Sequence, residues 1–296
     1  MTAVSPRRIL DQADAALDPF RDVPDRQRRA DGGRFVVESP RVVSRFLAAI
    51  RDQGTIGCAA EAILLDPTRA PELSKEAEAL GVPLLLADHE IMTQASGYHF
   101  HGGALAIGAR PRRPASIDDL LLALPPRANR RALIVALAGI TSMDNMGGIF
   151  RTAAALGADG LVLDHACADP LLRRCLRISM GQVFRVPWAV GGLMTEVLPE
   201  LHDRGGFTSI GLENLPDADS FGGRSTGTSP TPARVVIVIG NEGHGLDADT
   251  LDACDELRRI DGPPDLPASE RPGGDDERSL NAATAAAIAM HAILHG

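Results

Sequence analysis

The sequence predicts an α/β fold in two parts, with a parallel sheet in the second part. Short apolar runs alternate with helical periods in both halves of the chain, which is typical of α/β layers. The run VVIVI is continuous and β-branched, which suits a strand buried on both faces of a parallel sheet. A stretch rich in arginine and proline, residues 110–131, separates the two halves.

The alternation of the first part begins at residue 35. Short apolar runs predict strands at FVVE, AILLD, VPLLLAD and ALAIGA. Helical spacing of apolar residues predicts helices between them at PRVVSRFLAAI, ELSKEAEAL and EIMTQAS. This part ends near Arg110, and the linker that follows contains one short amphipathic piece.

After the linker the alternation restarts. We predict strands at LIVALAG, GLVLD, FRVPWA, FTSIGL and VVIVIGN. We predict crossover helices at NMGGIFRTAAALGA, LLRRCLRISM, LMTEVLPELHD and SLNAATAAAIAMHAIL. Two inserts poor in apolar residues, 214–234 and 262–277, interrupt the pattern, and we expect the first to be a disordered excursion.

The composition of the 296 residues excludes several classes of protein. A net charge of −9 argues against a protein that coats nucleic acid nonspecifically, because such binding needs many cations. No stretch has the length of a membrane span and no signal peptide is visible, so we expect a cytoplasmic protein with no membrane partner. The four cysteines show no metal or disulfide spacing, which predicts buried free thiols and no metal site.

Arginines cluster at four places in the sequence. Each cluster is a candidate for phosphate contacts, although a solvated surface is the simpler interpretation of any one of them. The clusters are Arg26/Arg28/Arg29, Arg110/Arg112/Arg113, Arg127/Arg130/Arg131 and Arg173/Arg174/Arg177.

A glycine-rich turn, GNEGHGL at residues 240–246, follows the strand VVIVI. The carboxyl ends of parallel strands are where α/β sheets bind ligands, and glycines let the backbone approach a ligand closely. Neither a dinucleotide fingerprint nor a P-loop occurs in the chain. Taken alone, the turn is also compatible with a purely structural role as a tight turn.

Two further stretches contain polar residues that need an explanation. Asn145 and Arg151 flank the pair Gly147-Gly148 in the stretch NMGGIFR. In the last helix Ser279 is a good N-cap, but Asn281, two positions further, is poorly explained by helix propensity.

Four stretches occur in one order: NMGGIFRTAAALGA, RISMGQVFRVPW, VIVIGNEGHGL and SLNAATAAAIAMHAI. Together they resemble the SpoU (TrmH-like) branch of the SPOUT superfamily, the RNA ribose 2'-O-methyltransferases, over residues 132–296. The segment from DGGRFVVESPRVV to GGALAIGA is similar to the L30e-like RNA-binding domain of many members. The resemblance implies an L30e-like substrate-binding domain at 1–111, a linker at 112–130 and a methyltransferase domain at 131–296.

For the methyltransferase domain, the resemblance implies a deep trefoil knot and a homodimer formed through the knotted region. It also implies S-adenosylmethionine (SAM) as the cofactor. The implied cofactor-binding residues are Gly240, Glu242, Gly245, Ile260 and Leu280. Twenty positions separate Ile260 from Leu280, so either the loop over the cofactor contains an insertion or Ile260 is misaligned.

The resemblance further implies a group of residues that faces the cofactor's methyl group. These catalytic residues are Asn145, Arg151, Glu242, Ser279 and Asn281. A guanidinium keeps its proton at neutral pH and therefore cannot serve as a base. We expect Arg151 instead to hold a phosphate and stabilise the developing alkoxide. We expect Asn145 to orient the ribose, while a phosphate oxygen or a water takes the proton. The glycine pair would leave room for the substrate.

The leading interpretation is therefore an RNA ribose methyltransferase acting on structured RNA, ribosomal RNA rather than transfer RNA, and not on DNA. An alternative is a catalytically inactive RNA-binding protein of the same fold, against which the intact polar residues argue. A nucleotide enzyme of the Rossmann type is disfavoured by the missing fingerprint.

Overall fold

The computed structural model of the protein describes residues 5–21, 33–54, 57–97, 102–124, 131–215, 218–221, 232–261 and 280–295. The chain forms two compact units, each described below by itself. The first unit comprises Met1–Pro114 and Asp169–Arg185, and the second comprises Ala115–Ala168 and Val186–Gly296. A segment from the second half of the sequence, 169–185, thus belongs to the first unit.

The first unit contains a five-stranded mixed sheet in the order β1-β4-β3-β5-β2. Its strands are β1 (Arg7–Arg8), β2 (Arg34–Glu38), β3 (Ala59–Leu65), β4 (Leu84–Leu86) and β5 (Ala104–Ala109). Its α-helices are α1 (Pro40–Arg51), α2 (Glu72–Leu80), α3 (His89–Ser96) and, in the segment 169–185, α6 (Arg173–Ile178). Short 3-10 helices lie at Ala15–Phe20 and Gln182–Phe184.

The segment 169–185 is fixed in the first unit by aromatic packing and by an ion pair. The Phe184 ring lies 4.9 Å from the Phe46 ring and 6.1 Å from the Phe35 ring, both within the range of favourable aromatic pairs. Arg110 pairs with Asp169 at 2.6 Å, and both side chains are largely buried. Because a buried carboxylate without its partner is costly, this pair anchors the beginning of the segment.

The second unit contains a seven-stranded sheet in the order β10-β12-β9-β11-β6-β7-β8. Its strands are β6 (Ala132–Leu137), β7 (Gly160–Leu163), β8 (Trp188–Val190), β9 (Thr208–Leu212), β10 (Asp219–Ser220), β11 (Arg234–Ile239) and β12 (Glu256–Arg259). Its α-helices are α4 (Ile117–Ala123), α5 (Met143–Leu156), α7 (Met194–Gly205), α8 (Ala248–Ala253) and α9 (Ala282–His295).

All neighbouring strands of this sheet run parallel, as the sequence predicts. Strand β11 lies between β6 and β9, and its residue Ile237 pairs with Val135 on one side and Ile210 on the other. These three side chains are fully buried. The continuous apolar run of β11 therefore reflects burial on both faces, and the loop after β11 emerges at the middle of the sheet edge.

The predicted strands and long helices of both parts are present, with α2 and β5 at the predicted residues. The amphipathic piece of the linker is α4, which begins with a capping box between Ser116 and Asp119. The prediction of a disordered insert at 214–234 is wrong at Asp219–Ser220, which pairs with β12 as β10. The other insert, 262–277, lies outside the described residues.

Among the residues that the structure describes, no helix is both long enough and apolar enough to cross a membrane. The cysteines Cys58, Cys167, Cys175 and Cys254 are free thiols, as predicted, but only Cys175 is fully buried and the other three are partly exposed.

Candidate active site

The turn after β11 folds back on itself as a small closed loop at residues 240–246. The backbone N–H of Gly245 donates to the Asn241 carbonyl at 2.8 Å and closes the loop. A Cβ on Gly240 would overlap Gly245 and lie 2.7 Å from the Leu246 nitrogen, so this position admits only glycine without rearrangement. Gly245 has φ +67°, a conformation that favours glycine. We call residues 240–246 the glycine loop.

Two polar side chains hold the glycine loop against neighbouring strand ends. The Asn241 amide donates to the Gly139 carbonyl at 2.8 Å, and its oxygen accepts from Gly243 N at 2.8 Å. The Glu213 carboxylate, which follows β9, accepts from Leu246 N at 2.9 Å and from Asn214 N at 3.0 Å. Hydrogen bonds within the protein therefore fix the conformation of the loop.

A cavity of about 390 Å³ lies beside the glycine loop, at the carboxyl edge of the sheet. This volume is in the range of small-molecule sites. Its lining includes all five residues that the resemblance assigns to the cofactor: Gly240, Glu242, Gly245, Ile260 and Leu280. Ile260 directly follows β12 and Leu280 precedes α9, so the structure brings them together despite the long insertion between them. Their role in binding stays a prediction.

Four polar residues that were not predicted from the sequence also belong to this site: Glu213, Asn214, Asn241 and His244. A signal for Glu213 was present, since it directly follows the strand FTSIGL at the carboxyl edge of the sheet. The irregular insert begins at the next residue, 214, and for this reason Glu213 was not assigned to the site. Asn241 lies inside the recognised glycine loop.

The first turns of α5 and α9 meet through two asparagines. Asn281 Nδ2 donates to Asn145 Oδ1 at 2.7 Å, and Asn145 is only 7% exposed. Asn281 Oδ1 also accepts from the backbone N–H groups of Ala283 and Thr284, at 3.0 and 3.3 Å. Asn281 is therefore the N-cap of α9, and the prediction that it lies inside the helix is wrong. The cap position explains an asparagine that helix propensity could not.

The other predicted catalytic residues are placed differently. Ser279 lies outside the described residues. Arg151 is exposed on α5, six residues beyond Asn145, and no hydrogen bond or ion pair holds its guanidinium within the described part of the chain. Glu242 is exposed in the glycine loop. Of the described members of this group, only Asn145 and Asn281 are hydrogen-bonded to each other.

One glycine of the pair in α5 has a packing role that was not predicted from the sequence. The helix begins at Met143, with the Ser142 hydroxyl accepting from Asn145 N as the cap, so both glycines lie within the helix. A Cβ on Gly148 would lie 3.1 Å from the Cβ of Ala283. Gly148 thus makes room for α9, and the close approach of the two helices positions Asn145 beside Asn281.

Comparisons with known proteins agree with this architecture. The sequence profile of the SpoU rRNA Methylase family matches residues 132–291. An uncharacterized tRNA/rRNA methyltransferase of Mycobacterium tuberculosis is 32% identical over 293 residues, which cover 96% of this chain and 90% of that protein.

Two solved structures share the fold over nearly the whole chain. An AdoMet-bound rRNA methyltransferase from Sinorhizobium meliloti aligns with a TM-score of 0.73 at 20% identity, over 97% of both chains. The SpoU methyltransferase AviRb from Streptomyces viridochromogenes, in complex with AdoMet, aligns with a TM-score of 0.68 at 24% identity, over 95% of this chain and 97% of that one. The profile match and the relative together establish that the chain belongs to the SpoU rRNA methylase family of RNA methyltransferases.

Proposed function

We propose that this protein transfers a methyl group from SAM to a ribose 2'-hydroxyl of structured RNA, ribosomal RNA rather than transfer RNA. Family membership supports methyl transfer to RNA. The single observation that supports a working site most directly is the cavity in which all five expected cofactor residues converge beside a preformed glycine loop.

The lining of the cavity fits SAM. Leu212, Ile239, Ile260 and Leu280 offer apolar surface to an adenine ring. The backbone of the glycine loop and the side chains of Glu213 and Asn214 offer polar groups to the ribose and the amino acid portion. When bound, SAM supplies an electrophilic methyl group on its sulfonium. The protein must then position the hydroxyl and provide for its proton.

The paired asparagines suit the positioning task. Because Asn145 Oδ1 accepts from Asn281, the orientation of the Asn145 amide is fixed. Its Nδ2 group then remains a donor that can hold a ribose oxygen. The low exposure of Asn145 limits competition from water. We assign Asn145 the role of orienting the ribose and Asn281 the role of orienting Asn145.

Arg151 is suited to charge stabilisation. Its guanidinium stays protonated at neutral pH and so cannot remove the proton of the hydroxyl. Exposed and without a carboxylate partner in the described chain, it can bind the phosphate next to the target ribose and stabilise the developing alkoxide. A phosphate oxygen or a water takes the proton. Family membership adds Glu242 and Ser279 to the proposed catalytic residues.

Family membership also supports several finer features of this proposal. The C-terminal sheet is tied in a deep trefoil knot, and two chains pair through the knotted region. The N-terminal part, residues 1–111, is an L30e-like domain that binds the substrate RNA, joined by a linker at 112–130 to the methyltransferase domain at 131–296. The protein acts in the cytoplasm.

Mapping of 2'-O-methylation in total RNA tests this function. Cells with and without the gene are compared, and the deleted strain is complemented with the wild-type chain or with Arg151→Ala. We expect at least one methylated ribose to be lost on deletion and restored only by the wild-type chain. Identical methylation maps in all four strains would overturn the proposal and favour the inactive RNA-binding alternative.

A further inference from the structure

Two segments of the first unit concentrate positive charge on a chain whose net charge is −9. Helix α1 contains three arginines and no acidic residue, and the segment 169–185 contains four arginines and one acidic residue, Asp169. The arginines are Arg41, Arg45, Arg51, Arg173, Arg174, Arg177 and Arg185. Asp169 is already paired with Arg110 at 2.6 Å. The charge of these segments is therefore not balanced by their own carboxylates.

The two segments pack against each other. The guanidinium of Arg45 donates to the Met180 carbonyl. A Cβ on Gly181 would lie 3.1 Å from Val42 Cγ1, which shows how closely the turn after α6 approaches α1. The rings of Phe46 and Phe184, 4.9 Å apart, continue the contact. Arginines that are far apart in sequence are thereby collected in one region of the first unit.

Five of these arginines are exposed. Four of the five, all except Arg51, define what we call the arginine surface: Arg41, Arg174, Arg177 and Arg185. Arg41 lies one helical turn before Arg45, Arg177 lies three residues before Met180, and Arg185 directly follows Phe184.

Three members of the arginine surface have no partner within the described residues. The guanidinium groups of Arg41, Arg177 and Arg185 make no hydrogen bond or ion pair there. Arg51, at the other end of α1, differs because it bonds to Asp52 at 2.9 Å. Exposed guanidinium groups that no carboxylate neutralises are available to an anionic ligand.

We propose that the arginine surface binds phosphate groups of the substrate RNA, an inference that rests on the proposed function. A chain with a net negative charge repels a polyanion at long range, so RNA docking requires a local region of opposite sign. The guanidinium fork matches phosphate geometry. RNA binding then involves not only the N-terminal part expected from the sequence but also the segment 169–185.

The test is RNA binding by the full chain, measured as fluorescence anisotropy of a labelled stem-loop RNA over a range of salt concentrations. In the triple variant Arg41→Ala, Arg177→Ala, Arg185→Ala, we expect affinity to fall roughly tenfold or more. The slope of log affinity against log salt should decrease by about 2 to 3, since each phosphate contact contributes about 0.7 to 0.9.

The matched control removes three exposed arginines that each lie beside a carboxylate, through Arg7→Ala, Arg8→Ala and Arg51→Ala. It loses the same charge, and its affinity and salt slope should stay close to wild type. The corresponding triple lysine variant at Arg41, Arg177 and Arg185 should keep most of the salt slope, because charge rather than shape determines that slope. SAM binding, measured by calorimetry, should be equal in all variants and confirms that they are folded.

The outcomes separate the two proposals. If the alanine variant binds RNA as tightly as the wild type while the wild type methylates RNA, RNA binding by the arginine surface is refuted and the proposed function stands. If the alanine variant loses RNA binding but the wild type never methylates RNA, the arginine surface stands and the proposed function is overturned. Equal losses of RNA affinity in the triple alanine variant and its control would also overturn the proposal that the arginine surface binds RNA, because net charge alone would then explain the effect.

Discussion

Asn281 donates a hydrogen bond of 2.7 Å to Asn145 across 136 residues of sequence. The same side chain of Asn281 caps α9 through its oxygen. Asn281 therefore both caps α9 and orients Asn145, and substitutions at this position can test the two roles separately.

Asn281→Ser should separate these tasks. Serine is also a good N-cap, so the unfolding temperature should stay close to wild type, while the bond to Asn145 and most of the turnover are lost. Asn281→Ala should lose the turnover and, in addition, about 1 kcal/mol of unfolding free energy through the missing cap. Thermal unfolding and single-turnover methylation measure the two effects. Full turnover in Asn281→Ser would show that the bond to Asn145 is not required.

Arg151→Ala should leave SAM affinity nearly unchanged and lower turnover about a hundredfold or more, the usual loss for one preorganised charge donor. Lysine at 151 keeps the charge but loses the planar fork, so it should restore little. Glu242→Ala serves as the contrast, because a residue of the glycine loop should affect SAM binding as well as rate. Calorimetry and single-turnover rates distinguish these patterns, and full activity in Arg151→Ala would remove Arg151 from the mechanism.

The glycine loop offers a matched pair of substitutions. A Cβ on Gly240 overlaps the backbone of Gly245, so Gly240→Ala must displace the loop and should weaken SAM binding about tenfold or more. A Cβ on Gly243 would meet only Asn241 Oδ1, at 3.3 Å, so Gly243→Ala should be tolerated. Calorimetry with SAM, and with NAD as a negative control, measures both. Equal affinities in the two variants, or binding of NAD instead of SAM, would contradict this account of the site.

The cysteines should react slowly in the folded protein. Burial raises the pKa of Cys254 to about 11 and that of Cys58 to about 12, because desolvation disfavours the thiolate. At pH 8 only about a thousandth of a thiol with a pKa of 11 is ionised, so alkylation by iodoacetamide should be far slower than in urea-unfolded protein. Mass spectrometry over time measures the rates. Labelling of Cys254 at the same rate in both states would show that it is not protected.

Light scattering should give about twice the chain mass of 31.2 kDa, as expected for the proposed homodimer. Helix α9 is rich in alanine and leaves Ile288 40% exposed, which suits close packing against a second chain. Ile288→Arg is therefore expected to shift the mass towards one chain. A wild-type monomer at micromolar concentration would rule out a stable dimer.

Sequence patterns were sufficient for elements that depend on local periodicity. The β-branched run of β11 and the helical spacing of α2 required nothing beyond their own residues. The short elements β1, β10 and α8 were missed because two to six residues show no reliable period, and tertiary pairing stabilises them instead.

The site was predicted in its parts but not in its arrangement. The family motifs selected Asn145, Asn281 and the glycine loop, yet the cap at Asn281 depends on where the backbone of α9 begins. The contact of Gly148 with Ala283 joins two helices far apart in sequence, which no local pattern can indicate. Glu213 was missed because it accepts a hydrogen bond from Leu246 N, in a loop that starts 27 residues later, at Gly240.

The position of Phe184 in the first unit has a consequence for biosynthesis. Its ring completes the packing of Phe35 and Phe46, but it is synthesised more than seventy residues after β5, the last strand of that unit's sheet. During translation the N-terminal part therefore leaves the ribosome with one side of its aromatic core uncovered. It reaches its final packing only after β6, α5 and β7 have also emerged, so the first unit cannot be completed before synthesis of the second unit has begun.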